Sequence, residues 1–86
     1  MKFKFSRHAE EEMLRRQVPR NIVEAVLERP DEIVDEYGDK KAYQSLVAFE
    51  SGKSYLVRVI VDDAAVPKSV VTVYRTSKVE KYRRKS

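Results

Sequence analysis

The sequence contains no cysteine, only two glycines and a single histidine. Without cysteine there is no disulfide framework, no thiolate metal site and no thiol nucleophile. With two scattered glycines there is no glycine-rich loop to cradle a phosphate, and no other cofactor motif is present, so no cofactor is expected. No apolar run approaches the length needed to span a membrane, and Met1-Lys2-Phe3-Lys4 leads directly into structure. The expectation is therefore a chain without a signal peptide, located in the cytoplasm.

What is present is a charge-rich globular composition, 42% hydrophobic and 37% charged over 86 residues, enough for one domain with one modest core. The net charge of +4 is unevenly placed. Residues 78–86 hold five basic residues against Glu80, while basic and acidic residues balance before them. This divides the chain into a domain over 1–77 and a basic tail over 78–86. Lys81, Arg83 and Arg84 are the tail's expected contacts to RNA or another polyanion, in a salt-sensitive manner. The plainer reading of such a tail is a solvated end that aids solubility.

Hydrophobic periodicity gives an α+β order. Lys2 to Phe5 alternates as a short strand. Ser6 is an N-cap, and Glu10, Glu11 and Glu12 follow in the early turns of a helix reaching about Arg16. Pro19 opens a second helix whose apolar face is Ile22, Val23, Val26 and Leu27, ended by Arg29-Pro30. The period then changes to two. Short strand Ile33-Val34, strand Tyr43 to Phe49, turn Glu50-Ser51-Gly52-Lys53, strand Tyr55 to Val61 and strand Ser69 to Tyr74 follow. These predict a short N-terminal strand, two helices and a three- to four-stranded antiparallel sheet with the helices on one face. Thr76 to Tyr82 reads as a last helix or an extended end.

Two places carry candidate chemistry. His8 is the one side chain that titrates near neutral pH unaided, four residues before Glu12 and on the same helix as Arg15 and Arg16. Arg58 sits between Leu56 and Ile60 on one side of an apolar strand, so it requires a carboxylate, a backbone acceptor or an anionic ligand. Glu12 and Glu24 are the carboxylates considered for it. Alternation places either Thr72 and Tyr74 or Arg75 beside it, according to register. Metal-independent RNA cleavage needs a base, an acid and a cation for the phosphorane-like charge. His8 suits proton transfer, Arg16 and Arg58 suit charge stabilisation, and Glu12 or Tyr74 suits orientation. The acidic run Asp31, Glu32, Asp35, Glu36 and Asp39 has no metal-loop pattern and is read as a solvated edge. Equally ordinary structural roles exist for each residue: a cap for His8, a solvated helix face for the arginines, packing for the tyrosines.

The pattern Phe5-Ser6-x-His8-Ala9-x-x-x-Met13-x-x-Arg16-x-Val18, then Val26-Leu27-x-x-Pro30-x-x-Ile33, resembles the start of domain-of-unknown-function family 4258. Val57–Val61 and Val70-Val71-Thr72-Val73-Tyr74 resemble its end. That family is similar in layout to the RelE-like and BrnT-like ribonuclease toxins. The resemblance implies an RNA-cleaving or RNA-binding role and a cognate antitoxin-like partner. His8 and Arg16 would be site residues, with Arg58, Thr72 and Tyr74 behind them. Relatives often carry arginine where this chain has Glu12, which lowers the positive potential beside His8. Three readings follow: a metal-independent endoribonuclease, a non-catalytic RNA- or protein-binding module, and a scaffold whose role lies with a neighbouring gene product.

Overall fold

A computed structural model describes residues 3–82. The order is β1 (Lys4–Phe5), α1 (Arg7–Arg15), α2 (Arg20–Glu28), β2 (Glu32–Asp35), β3 (Lys40–Ala48), β4 (Ser54–Asp62), β5 (Ser69–Thr76) and α3 (Val79–Tyr82). Strands β2 to β5 form an antiparallel meander. The sequence-based sheet of three or four antiparallel strands needs correction, because β1 joins β5 in parallel and makes a five-stranded mixed sheet ordered β1-β5-β4-β3-β2. The two helices carry the chain from β1 to β2 on the far edge of the sheet, and the meander brings it back to β5 beside β1, so the long connection that parallel pairing requires comprises both. A two-residue strand carries little periodicity from which to read its partner.

Alternation sorts the sheet into two faces. Tyr43, Val57, Val59, Val61, Val70 and Val73 pack with Ala9 and Met13 of α1, Val18 of the link, and Val23, Val26 and Leu27 of α2. The other face carries Ala42, Gln44, Leu56, Arg58 and Ile60, all buried. Plain alternation along β5 would put Val70 on the face of Thr72 and Tyr74. A register shift overrides it: Ile60 pairs with Thr72, whereas Val61 pairs with Val70. Val71 is the extra residue of a β-bulge, and Val70 and Val73 both reach the helix-side core.

Ser6 ties this bulge to α1. Its Oγ accepts the Ala9 N–H at 3.0 Å as the N-cap, and the same hydroxyl donates to the Val71 carbonyl at 3.1 Å. Its backbone N–H donates to the Val70 carbonyl at 3.0 Å. One residue thus satisfies an orphan helix donor and holds β5 at its irregularity.

The end of α1 is also specific. Val18 N–H donates to the Met13 carbonyl at 2.9 Å and Gln17 N–H to the Leu14 carbonyl at 3.3 Å. These two bonds make a Schellman cap around C-cap Arg16, with Gln17 at the left-handed position where glycine is usual, φ 56°. A side chain there costs about 1–2 kcal/mol. Buried Val18 beside Met13 supplies the apolar contact that accompanies this cap. Pro19, expected inside α2, is its N-cap. No described helix is long and apolar enough to cross a membrane.

Ser6→Ala removes both hydroxyl contacts while filling no new space. It is expected to cost about 1–2 kcal/mol, lowering the melting temperature by on the order of 5–10 °C. Differential scanning calorimetry checks this, and a shift within error would remove Ser6 as the joint between α1 and β5.

Candidate functional site

The cross-strand register places Arg58 opposite Gln44 on one side and Tyr74 on the other. Arg58 is 2% exposed. Its Nε donates to Gln44 Oε1 at 2.7 Å, one terminal nitrogen donates to the Tyr74 hydroxyl at 2.5 Å, and the other donates to Glu36 Oε2 at 2.7 Å. The Tyr82 ring lies over the guanidinium, 4.3 Å from its carbon. Fully buried Gln44 donates in turn to Glu32 Oε1 at 2.7 Å and to the Tyr82 carbonyl at 3.1 Å. The result is a closed polar network across β2, β3, β4, β5 and α3. Among the described residues no buried side-chain nitrogen or oxygen lacks a partner.

Burial opposes the Arg58 charge, but hydrogen bonds from Arg58 to Glu36 and Tyr74 outweigh it and raise the guanidinium's already high pKa. Burial raises the Tyr74 phenol, ahead of the opposing pull of Arg58. A buried cation needs such compensation, since removing one partner of a buried pair costs more than the pair itself contributes.

The partner of Arg58 is Glu36, not Glu12 or Glu24. Glu12 instead accepts from Arg16 Nε at 2.7 Å and Arg15 Nε at 3.0 Å, and the hydrogen bond from Arg16 leads the causes that lower its pKa. The acidic run is a solvated edge in part: Asp31, Asp35 and Asp39 are exposed along the edge strand β2 and its flanks, whereas Glu32 and Glu36 are partly buried. Asp31 accepts the Leu46 N–H at 3.0 Å, Glu32 bonds Gln44, Asp35 pairs with Lys41 across the strands and Glu36 holds Arg58. These acids fasten β2 and its turn to β3 and β4. Among the described residues no group of three or more His, Asp or Glu side chains is placed to hold a metal ion.

The sequence-derived candidates separate in space. Arg58, Tyr74 and Thr72 share the face away from α1 and α2. Arg16 stands at its border, its guanidinium carbon 5.8 Å from the Tyr74 ring. His8 is eight residues before Arg16, about 12 Å along the helix axis. It is exposed on the first turn of α1, with no hydrogen bond or ion pair among the described residues. Arg75 lies on the opposite sheet face. Its guanidinium is packed against Phe49 and Tyr55, at 4.4 and 4.6 Å from their ring centres. Lys81 is exposed on α3 beside the Tyr82 ring at 5.3 Å, so the expected tail over 78–86 includes a helical turn that packs back on the sheet. Arg83 and Arg84 lie outside the described residues.

A family model described as Domain of unknown function (DUF4258) matches residues 5–75. The chain belongs to this family. The match ends one residue before the last of β5, so Tyr82, which caps the Arg58 network, stands outside the matched part of the DUF4258 domain. No curated protein and no solved structure matches the chain.

Gln44, Glu36 and Tyr82 as Arg58 partners, and Glu32 behind Gln44, are absent from the sequence-derived candidates. A glutamine at the same alternation as Arg58, in an apolar strand, was the available signal for Gln44. The others are partners only through the fold.

Gln44→Leu keeps the volume but strands the Arg58 Nε–H. It is expected to destabilise the domain by about 2–4 kcal/mol, read as a lower urea midpoint; an unchanged midpoint would mean the network is not what holds this face. Tyr74 gives a pH signature. Its raised pKa means that its contribution to stability is complete below its ordinary value of about 10 and fades as pH climbs through the higher folded value. Ultraviolet titration of the folded protein should show a late phenolate component that Tyr74→Phe removes.

Proposed function

We propose that this DUF4258 domain is a single-stranded RNA-binding module that does not use the Arg58 cluster for catalysis. The helices-then-sheet layout expected of RelE-like and BrnT-like toxins belongs to this proposal as analogy of fold, which carries no activity of its own. The observation that carries the reading is where unpaired positive charge sits. Arg58 is spent inside the fold on Gln44, Tyr74 and Glu36. Around the end of the sheet that holds the β3–β4 hairpin and the exit of β5, Lys53, Arg75, Lys78 and Lys81 have no carboxylate within ion-pair distance among the described residues. Arg83, Arg84 and Lys85 follow in the sequence.

At the opposite end of the strands, Lys41 and Lys68 are neutralised by Asp35 and Asp63, while Lys4 and Lys40 stand without an ion pair or an aromatic ring contact among the described residues. Phe49 and Tyr55 stand among the unpaired cations, Lys53 lying 5.8 Å from the Tyr55 ring centre. Cations beside aromatic rings are the chemistry by which single strands are held without strong sequence preference. The titratable groups at the buried cation, Glu36 and Tyr74, are held by Arg58 itself, and His8 stands two turns of α1 away from Arg16.

Binding of a fluorescent single-stranded oligoribonucleotide, followed against salt, tests this. Affinity should fall steeply as salt rises. Replacing Arg83, Arg84 and Lys85 together by glutamine should reduce the logarithmic salt slope by up to about 2. His8→Ala should leave affinity unchanged. RNA cleaved by the wild-type protein but not by His8→Ala would replace this reading with the nuclease one, and salt-independent affinity would remove the electrostatic basis altogether.

A further inference from the structure

Between the α1–α2 link and the β3–β4 hairpin lies a cleft of about 530 Å³, lined by Gln17, Asn21, Phe49, Glu50, Ser51 and Arg75 among others. We infer that this cleft is a nucleotide-binding subsite, in which Arg75 takes the phosphate and the side chains of Gln17, Asn21 and Ser51 supply the surrounding polar contacts. The inference rests on the RNA-binding reading above and gives that reading a location.

Arg75 carries the argument. It is only partly exposed, at the end of β5 on the helix-side face. Its guanidinium touches the rings of Phe49 and Tyr55, which meet each other edge to face at 5.6 Å. Among the described residues it makes no hydrogen bond and no ion pair. Stacking on rings engages the face of a guanidinium and leaves its in-plane N–H donors for an acceptor. Those donors match the paired oxygens of a phosphate. This is the reverse of Arg58, whose nitrogens are all engaged by neighbours.

The rest of the cleft fits the same ligand. Asn21 and Gln17 bring amides, which donate and accept, and Ser51 brings a hydroxyl. Phe49 supplies apolar wall. Gln17 holds φ 56°, a position that glycine would occupy without strain, and its side chain lines the cleft. A side chain kept at a strained helix cap beside a cleft is the pattern expected where that side chain has a use. Glu50 is the one carboxylate lining the cleft among the described residues; its charge opposes an anion and weakens binding.

The test uses the full chain, a single-stranded oligouridylate, 5′-uridine monophosphate and inorganic phosphate, with affinity by anisotropy and contacts by heteronuclear NMR. Uridine monophosphate is expected to shift the Arg75 Nε–H and the signals of Gln17, Asn21 and Ser51. Arg75→Gln and Asn21→Asp should each weaken oligouridylate binding by about tenfold, and Glu50→Gln should strengthen it. Asn21 is exposed on α2, so Asn21→Asp keeps the test valid if Arg75→Gln unfolds. Gln17→Gly separates use from structure: it should raise the melting temperature and lower affinity together. Shifts equal for inorganic phosphate and the nucleotide would overturn the nucleotide assignment. Unchanged affinity in Asn21→Asp and Arg75→Gln, with binding lost when Arg83, Arg84 and Lys85 are neutralised, would overturn the cleft and leave the RNA-binding reading standing. No binding of RNA by the wild-type chain at low salt would remove both.

Discussion

A guanidinium with 2% exposure in the middle of the sheet is the constraint on which this architecture turns. Leu56 and Ile60 flank Arg58 on its own strand, so no solvent reaches it along β4. Every group within its reach is therefore committed. Gln44 is fixed by bonds in three directions, Glu36 brings the turn after β2 inward, Tyr74 holds its proton, and Tyr82 brings α3 back over the sheet. An uncompensated charge at this depth would cost several kcal/mol, comparable with much of the stability of a domain this small. The network is a condition of folding before it is anything else.

That condition divides the arginines of the β4–β5 pair by purpose. Tyr74 and Arg75 are neighbours in sequence, and consecutive strand residues face opposite sides. Tyr74 turns to the buried cation. Arg75 turns to the helix side and reaches the end of the sheet, where two rings hold it and no carboxylate among the described residues pairs with it. The face that looks, by its valines, like the purely apolar one therefore also carries a cation.

Much of the fold was legible because local physics acts over short spans. Ser6 as N-cap, the apolar face of α2 and the turn at Gly52 are all set by neighbours within a few residues. What escaped depends on distant parts of the chain. The parallel seat of β1 is decided by β5, more than sixty residues later. The face of Val70 is decided by a bulge that alternation does not announce. The helices offer Glu12 and Glu24 as counter-ions for Arg58, yet Glu36 comes from the turn beyond β2, because the helices cover the other face. For the candidate site, Arg58 with Tyr74 and Thr72 share one face as one of the two registers required. His8 and Arg16 are joined as site residues by the family resemblance, and eight residues hold them apart along α1.

The joint at Ser6 has a consequence for the lineage of such domains. The hydroxyl that caps α1 also needs the carbonyl of Val71, a residue present only because β5 is one position longer than its partner requires. A deletion that straightened β5 would return the strand to simple alternation and take that acceptor away. A change at position 6 would leave the extra residue's carbonyl without its donor. The length of the last strand and the identity of a residue near the beginning of the chain should therefore drift together, as one heritable character rather than two.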